Sequence, residues 1–307
     1  METLIQQIIN GLVLGSVYAL VALGYTMVYG ILGLINFAHG EVVMVGALVA
    51  LATVKALAAL GLPAAVQLPI GLAVAMIACM ALGAAIERIA YRPLRNAPRL
   101  APLITAIGVS IVIQYTVVLI SGRSYHAYPE LLSTRSFDLY GARISPAQIA
   151  VILISTAAMA VLLWIVHRTR LGRAMRATAE NPEVARLMGV NVDRVISLTF
   201  VIGSAMAAVA GVLVSINYSV AHYQMGFVLG LKAFTAAVLG GIGNLAGAMV
   251  GGLLLGLIEA LGAGYIGDLT GGVFGSNYRD VFAFLVLVLV LIFRPSGLLG
   301  ERVAERA

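Results

Sequence analysis

The stretch LGGIGNLAGAMVGGLLLGLIE, residues 239–259, joins a glycine-rich break to a long apolar run. Asn244 stands just before the run and can cap a helix, because its side chain accepts hydrogen bonds from the first free amides. The segment 244–264 is long enough to cross a bilayer, which takes about 20 apolar residues. Its glycines suit close approach between neighbouring helices. The stretch therefore predicts a transmembrane helix in a tightly packed bundle.

The rest of the chain has the same character. Of its 307 residues, 61% are hydrophobic and 10% are charged, a composition typical of membrane proteins. Apolar segments are predicted at 5–32, 41–60, 66–87, 101–120, 147–167, 195–218, 226–240, 244–264 and 279–293. The seventh contains Lys232 and is too short to cross untilted, which suits a half-helix or a re-entrant segment. We predict an all-α, polytopic transmembrane helical bundle of about 8–10 spans, with residues 1–307 forming a single domain.

The positive charges gather in three places and predict the topology. The three groups are Arg88, Arg92, Arg95 and Arg99; Arg168, Arg170, Arg173, Arg176, Arg186 and Arg194; and Arg294, Arg302 and Arg306. The positive-inside rule makes all three cytoplasmic, at membrane edges where guanidinium groups can meet lipid phosphate. The loop 121–146 lies one span from each basic connection, so we expect it outside, together with the N-terminus. Topology thus explains the net charge of +6, and binding to nucleic acid is not expected.

The connection 168–194 is longer than a simple turn between two helices requires. Within it, Asn181 can cap a short helix, Glu183 suits the first turn, and Gly189 can end the helix at positive φ. The apolar face of this helix consists of Val184, Leu187 and Met188. The face fits either an interfacial helix resting on lipid headgroups or a docking helix for a cytoplasmic protein.

Four stretches resemble a known family of transporters. PEVARLMG, residues 182–189, is similar to the coupling-loop signature of bacterial ABC importer permeases, with Val184 in place of the middle alanine of Glu-Ala-Ala. GLINFAHGEVVMVGA (33–47), the stretch 239–259 and FRPSGLLG (293–300) resemble the branched-chain amino-acid permeases, specifically the H-type subunits of the Liv system.

The resemblance implies a permease subunit of a bacterial inner-membrane importer for branched-chain amino acids. Its partners would be a second, related permease in a heterodimer, two cytoplasmic ATPases and a periplasmic substrate-binding protein. Coupling to the ATPases would fall to Glu183, Ala185, Leu187, Met188 and Gly189, with Ala185 small enough to let a partner approach closely. The sequence has no G-x-x-x-x-G-K-[ST] phosphate loop, so we expect no cofactor on this chain, no enzymatic activity, and ATP used by the partner subunits.

Two stretches interrupt the apolar pattern and resemble each other. GLINFAHG (33–40) and GIGNLAGA (241–248) share G-x-x-N-x-A, and each opens an apolar helix, which indicates an internal repeat. Broken helices in corresponding halves of a transporter often form its pathway. The candidates for the translocation pathway are Asn36, His39, Glu41, Asn244 and Glu259.

Each candidate also has a purely structural interpretation. Asn36 and Asn244 would be caps, Glu41 would complement a helix dipole, His39 would be a polar turn residue, and Glu259 would be solvated near the outer interface.

Other function classes remain open at the level of sequence. A relative of the branched-chain permeases could carry other amino acids, amides or urea. A passive small-solute channel is suggested by the paired N-x-A stretches, although Phe37 and Leu245 replace the proline of the Asn-Pro-Ala repeats in water and glycerol channels. An intramembrane hydrolase is disfavoured because Ser204 lacks a G-x-S-x-G context. Cys79 is the only cysteine, which excludes a disulfide framework.

Overall fold

The computed structural model describes residues 2–95, 97–98, 100–132, 135–139, 141–271 and 278–300; Arg99, Arg302 and Arg306 of the predicted basic groups lie outside these ranges. The α-helices are α1 (Glu2–Leu32), α2 (His39–Ala59), α3 (Ala64–Ala85), α4 (Leu100–Ser121), α5 (Pro146–Arg168), α6 (Arg170–Glu180), α7 (Pro182–Leu187), α8 (Val192–Tyr218), α9 (Met225–Gly240), α10 (Leu245–Leu269) and α11 (Arg279–Phe293). A π-helical turn, Ile86–Tyr91, and a 3₁₀ turn, Arg92–Leu94, extend α3. The strands are β1 (His126–Ala127), β2 (Phe137–Leu139), β3 (Ala142–Ile144) and β4 (Val220–Ala221).

Seven helices of the described chain are long and apolar enough to cross a membrane. Together with the shorter apolar helices α9 and α11 they account for the nine predicted segments, and the prediction of an all-α membrane bundle is confirmed. The expected full span at 279–293 needs a correction, because α11 has 15 residues and is only about 22 Å long. Both short helices therefore cover less than the roughly 30 Å of hydrocarbon unless the bilayer adapts to them.

The centre of the bundle is the antiparallel pair of α1 and α10. A Cβ added to Gly15 would lie 2.7 Å from Leu253 Cα, and one added to Gly11 would lie 2.8 Å from Leu257 Cα. Glycines four residues apart form a continuous groove on a helix face, since they lie one turn above each other. The expected role of the glycines in close packing is therefore confirmed at this contact, where Gly252 of α10 also meets α1.

One end of the bundle, called the basic end below, gathers the arginine-rich connections. Arg92 Nη2 donates to Ser197 Oγ at 2.9 Å, which joins the end of α3 to the beginning of α8. The C-terminal segment 294–300 lies here too, since the amide of Leu298 donates to the carbonyl of Leu239 at 2.9 Å. The predicted grouping of these three regions on one side is confirmed.

The opposite end carries the short strands. In one antiparallel ladder β1 pairs with β4, and in the other β2 pairs with β3. Gln6 Nε2 near the beginning of α1 donates to the carbonyl of Arg143 at 3.1 Å. The loop 121–146 and the beginning of α1 therefore share one end, as the parity of the predicted spans requires.

The connection 168–194 contains more structure than the sequence predicted. A second helix, α6, precedes α7, and Thr169 caps it by accepting a hydrogen bond from the amide of Gly172 at 3.1 Å. Gly172, Met175 and Thr178 are its buried residues. They recur every three residues on the side that meets the bundle, as helical periodicity requires. The prediction missed α6 because the arginines around these three buried positions give the segment the composition of a solvated loop.

Candidate functional site

The short helix α7 has the local structure that its sequence predicts. Asn181 Oδ1 accepts hydrogen bonds from the amides of Glu183 at 3.0 Å and Val184 at 3.1 Å. Gly189 follows the helix with φ of +82°, a backbone conformation in which a Cβ is strained. The predicted beginning and end of the helix are confirmed.

The apolar face of α7 points away from the chain. Val184, Leu187 and Met188 have exposed fractions of 52%, 86% and 80%. Ala185, by contrast, is 3% exposed, because α7 rests with this side on α6 and α8. The expectation that Ala185 faces a partner is therefore wrong, and the residue belongs to the packing of the loop itself.

A network of ion pairs joins the beginning of α8 to the end of α3. Glu87 lies in the π-helical turn, is 1% exposed, and accepts hydrogen bonds from Ser197 Oγ at 2.7 Å and from both Arg92 and Arg95. Arg95 also pairs with Asp193 in the first turn of α8. Because α8 begins a few residues after α7 ends, this network connects the region of α7 to the end of α3. The sequence shows these charges but not the contacts of Arg95 with Asp193 and of Glu87 with Ser197, since these partners are 98 and 110 positions apart.

The chain is broken between α1 and α2, as predicted, but Asn36 does not cap α2. The N-cap position is Ala38, and Asn36 Oδ1 accepts from the amide of Ala38 at 3.2 Å within the turn. The hydroxyl of Tyr91, at the end of the π-helical turn, lies 3.2 Å from the same oxygen and 3.3 Å from the carbonyl of Ile35. Asn36 is 3% exposed, so its role is to hold an irregular backbone inside the bundle.

His39, at the beginning of α2, packs tightly against α1 and α8. A Cβ on Gly24 of α1 would overlap the His39 ring, and a Cβ on Gly203 of α8 would lie 3.8 Å from its Cε1. Tyr25 meets the ring edge-to-face with 5.0 Å between centroids. Since Gly24 lies two turns inside the end of α1, α2 begins within the depth of the bundle.

Among the described residues, no three His, Cys, Asp or Glu side chains form a metal site.

Glu41 lies where the first turns of α2 and α9 cross. The crossing is close because both helices present glycine: a Cβ on Gly226 would lie 2.6 Å from the carbonyl oxygen of Gly40. Glu41 is 1% exposed, and its Oε1 accepts from Ser110 Oγ of α4 at 3.2 Å. Its first-turn position is confirmed. The sequence offered no signal for Ser110 or Gly226, which come from distant segments.

Glu259 is not solvated near an interface, and that structural interpretation is wrong. It is 1% exposed, its Oε1 accepts from Lys232 Nζ at 2.6 Å, and its Oε2 accepts from the hydroxyl of Tyr18 at 2.9 Å. Lys232 also meets Asp280 at 2.8 Å. The lysine in the short seventh segment is thus neutralised by two carboxylates from α10 and α11.

Beside Glu259, a polar cavity of about 460 Å³ opens towards the opposite end. Its lining includes Asn10, Arg143, Gln148 and Asn217. Residues of both charges and several amides thus surround a space large enough for a small polar solute.

Asn244 caps α10 as predicted, since its Oδ1 accepts from the amide of Gly247 at 3.0 Å. Its Nδ2 donates to the carbonyl of Leu299 at 2.9 Å, which attaches the C-terminal segment. The two halves of the proposed repeat therefore share a break before a helix but differ in how the asparagine is used.

Comparison with known proteins identifies the family. The profile described as branched-chain amino acid transport system / permease component matches residues 7–291. The chain is 48% identical to the high-affinity branched-chain amino acid transport system permease protein BraD of Pseudomonas aeruginosa, over 98% of this chain and 97% of the relative. It is 47% and 46% identical, with the same coverage, to the permease proteins LivH of Salmonella typhimurium and Escherichia coli.

No solved structure gives a significant match. The relatives are permease subunits of transport systems with further components, which agrees with the prediction of a transport subunit rather than an enzyme. The chain is therefore a multi-pass membrane protein that belongs to the family of permease components of branched-chain amino acid transport systems.

Proposed function

We propose that this chain forms half of the translocation pathway of an ABC importer in a bacterial inner membrane. It takes branched-chain amino acids from a periplasmic binding protein and works beside a second, related permease in a heterodimer. Two cytoplasmic ATPases supply the energy, so ATP is used by the partners and this chain holds no cofactor. The names of the relatives at 46–48% identity support the substrate class.

The observation that carries the proposal is the exposed apolar face of α7 at the basic end. Leu187 and Met188 are almost fully exposed, although the rest of the loop is folded and capped. Covering each of these side chains would contribute about 1.5–3 kcal/mol before ordering costs. A short rigid helix with such a face fits the groove of a partner protein.

The network around Glu87 supports a route for the coupling. Motion of α7 would move the beginning of α8, and the ion pairs of Arg95 would carry it to the π-helical turn. Tyr91 in that turn contacts the broken segment around Asn36. We therefore assign Asn36, His39 and Glu41 to the moving side of the pathway. Asn244 and Glu259 stay candidates, the latter through the polar cavity beside it.

The coupling role is tested by Leu187→Asp, with Arg186→Gln as the matched control on the polar side of α7. Complexes are purified through a tag on this chain, and the retained ATPase and the ATP hydrolysis stimulated by binding protein are measured. Leu187→Asp should weaken ATPase attachment at least about tenfold, because 1.4 kcal/mol corresponds to a factor of ten. Arg186→Gln should leave it unchanged.

Normal retention and normal stimulated hydrolysis in Leu187→Asp would contradict the coupling role. These results would favour the alternative interpretation, in which α7 rests on lipid headgroups. Ala185→Asp is not a test of docking, because a carboxylate at this buried position would disturb the loop itself.

The cytoplasmic position of the basic end is tested by cysteine labelling in a Cys79→Ala background. A cysteine at Asp138, exposed at the opposite end, should react with an impermeant maleimide added to spheroplasts, whose inner membrane is sealed and accessible. A cysteine at Glu180, exposed at the basic end, should react only after the membrane is opened. The reverse pattern would remove the proposed ATPase site from the cytoplasm.

The substrate class is tested by uptake of labelled leucine into vesicles containing the complete complex. Unlabelled isoleucine and valine should compete, whereas urea and a small amide should not. Competition by urea or the amide, but not by isoleucine, would overturn the assignment.

A further inference from the structure

A cavity of about 280 Å³ lies beside the crossing of α2 and α9. Its lining includes Tyr25, Phe37, Ile107, Ser110, Phe227 and Phe234. Sites for drug-sized ligands have volumes of about 300–1,000 Å³, so this cavity suits a smaller molecule. Ile107 and Phe227 are 45% and 61% exposed, which shows that the cavity opens at the side of the bundle between α4 and α9.

The wall of the cavity is mainly aliphatic and aromatic, and its polar atoms lie together. Ser110 Oγ donates to Glu41 Oε1 at 3.2 Å. The hydroxyl of Tyr25 lies 3.0 Å from the position that a Cβ on Gly230 would occupy. An apolar cavity with polar groups on one side can bind a molecule that has an apolar body and one charged end.

The carboxylate of Glu41 lies at this polar side. Glu41 Oε2 is 2.9 Å from the position of a Cβ on Gly226, and both Gly226 and Ser110 line the cavity. Among the described residues Oε2 has no hydrogen-bond partner, although Glu41 is 1% exposed. Glycine at 226 leaves the space into which this oxygen points.

Burial makes the anionic form of Glu41 costly, and no cation among the described residues pairs with it. Glu41 is in the first turn of α2 and next to the first turn of α9, where helix dipoles stabilise negative charge. Such a buried charge is costly unless a cation pairs with it. At Glu259 the cation is Lys232, whereas the described residues around Glu41 provide only hydroxyl groups.

We infer that this cavity is a substrate subsite of the permease. Glu41 binds the α-ammonium group of an aliphatic amino acid, and the wall formed by Ile107, Leu231 and Phe234 receives the side chain. The inference rests on the proposed import of amino acids and adds the groups that recognise them.

An inorganic cation fits the cavity poorly. Calcium takes six to eight oxygen ligands and magnesium requires near-octahedral oxygen coordination. Here the lining has the hydroxyl groups of Tyr25 and Ser110 in a mainly apolar wall, and the one carboxylate, that of Glu41, lies beside the lining residue Gly226. A primary ammonium group has three donors, which the carboxylate and the neighbouring hydroxyl groups can satisfy.

The charge is tested with Glu41→Gln and Glu41→Asp in the complete complex, reconstituted in vesicles with leucine-loaded binding protein. Glu41→Gln keeps the shape and removes the charge, so leucine uptake should fall at least tenfold. Glu41→Asp keeps the charge and should retain more uptake than Glu41→Gln. Glu130→Gln, at an exposed carboxylate near the opposite end, should transport normally.

The wall is tested with Leu231→Phe, which fills part of the cavity. Each amino acid is supplied as its complex with the binding protein, at a concentration that saturates the transporter. Differences in the affinity of the binding protein then do not affect the measured uptake rates. The ratio of leucine uptake to valine uptake should fall about fivefold, since an added methylene in a filled pocket is costly. A defect of folding would lower both rates and leave their ratio unchanged.

Two results would overturn the inference. Glu41→Gln with at least half of the wild-type leucine uptake would show that the carboxylate does not bind substrate. In Leu231→Phe, an unchanged leucine-to-valine ratio with both uptake rates close to those of the wild type would show that the cavity does not hold the substrate side chain during transport. The proposed function would fail differently, because the wild-type complex would then accumulate no leucine at all.

Discussion

Two carboxylates lie at equal burial inside this bundle, and their surroundings differ. Glu259 is paired with Lys232 and with the hydroxyl of Tyr18, so each of its oxygens has a partner. Glu41 is held by Ser110 through one oxygen only, and the other points to the wall of a cavity. The difference shows that the role of a charged side chain inside a membrane bundle can be inferred from the partners that surround it. A paired carboxylate maintains the fold, whereas an unpaired one next to a cavity is available for a ligand.

The largest effect on stability is expected for Glu259→Ala. It leaves Lys232 in the bundle with Asp280 as its remaining carboxylate, and the free energy of unfolding should fall by about 3 kcal/mol. Thermal unfolding of the purified complex measures the loss. The double variant Glu259→Leu with Lys232→Leu should recover most of it, because both buried charges are then gone and the side chain of Asp280, which is 43% exposed, can be solvated. Unfolding of Glu259→Ala at the wild-type temperature would remove the distinction between the two carboxylates.

The next largest effect is expected for Glu87→Ala, which adds a third buried carboxylate to the comparison. Arg95 loses its inner partner, whereas Arg92 is 42% exposed and can be solvated, so the loss should be about 2 kcal/mol. Arg88→Ala, an exposed residue in the same turn, is the control and should change stability little. Chemical unfolding of both variants gives the difference, and equal stability of the two would show that the network is not formed.

A smaller effect separates the two halves of the internal repeat. Asn36→Ala removes the acceptor for the amide of Ala38 and a partner of Tyr91, which should cost about 1–2 kcal/mol. Asn244→Ala removes a helix cap at the partly exposed basic end and should cost about 1 kcal/mol. Asn36→Ala should reduce transport more than Asn244→Ala does, and uptake normalised to the amount of folded complex tests this. Loss of transport in Asn244→Ala but not in Asn36→Ala would contradict the assignment of Asn36 to the moving side of the pathway.

The smallest effect on stability is expected for Glu41→Gln, the variant used above for transport. The amide can still accept from Ser110, and no charge has to be buried, so the unfolding free energy should change by less than about 1 kcal/mol. Thermal unfolding beside Glu259→Ala makes the comparison direct. A loss as large as that of Glu259→Ala would mean that Glu41 has a structural cation partner after all.

Local signals in the sequence predicted the helices and several of their ends correctly. Asn181 and Gly189 bound α7 because a cap and a positive-φ glycine act through backbone atoms only a few positions away. The same reasoning failed for Asn36, whose acceptor oxygen is used by a turn and by Tyr91 rather than by the first turn of α2. It also missed α6, whose arginines hide the buried side of an amphipathic helix.

The sequence by itself determined a polytopic helical membrane protein, the grouping of its arginines at one end, and its family. These follow from hydrophobic length, charge bias and long similar stretches, all of which are properties of continuous segments. Only the tertiary structure decided that Ala185 faces inwards, that Glu259 is neutralised by Lys232, and that Glu41 lies unpaired beside Ser110 and Gly226. The physical reason is that burial and charge pairing depend on contacts between helices whose contacting residues are 27 to 185 positions apart in the sequence. A local sequence pattern does not indicate which side of a helix faces which neighbouring helix.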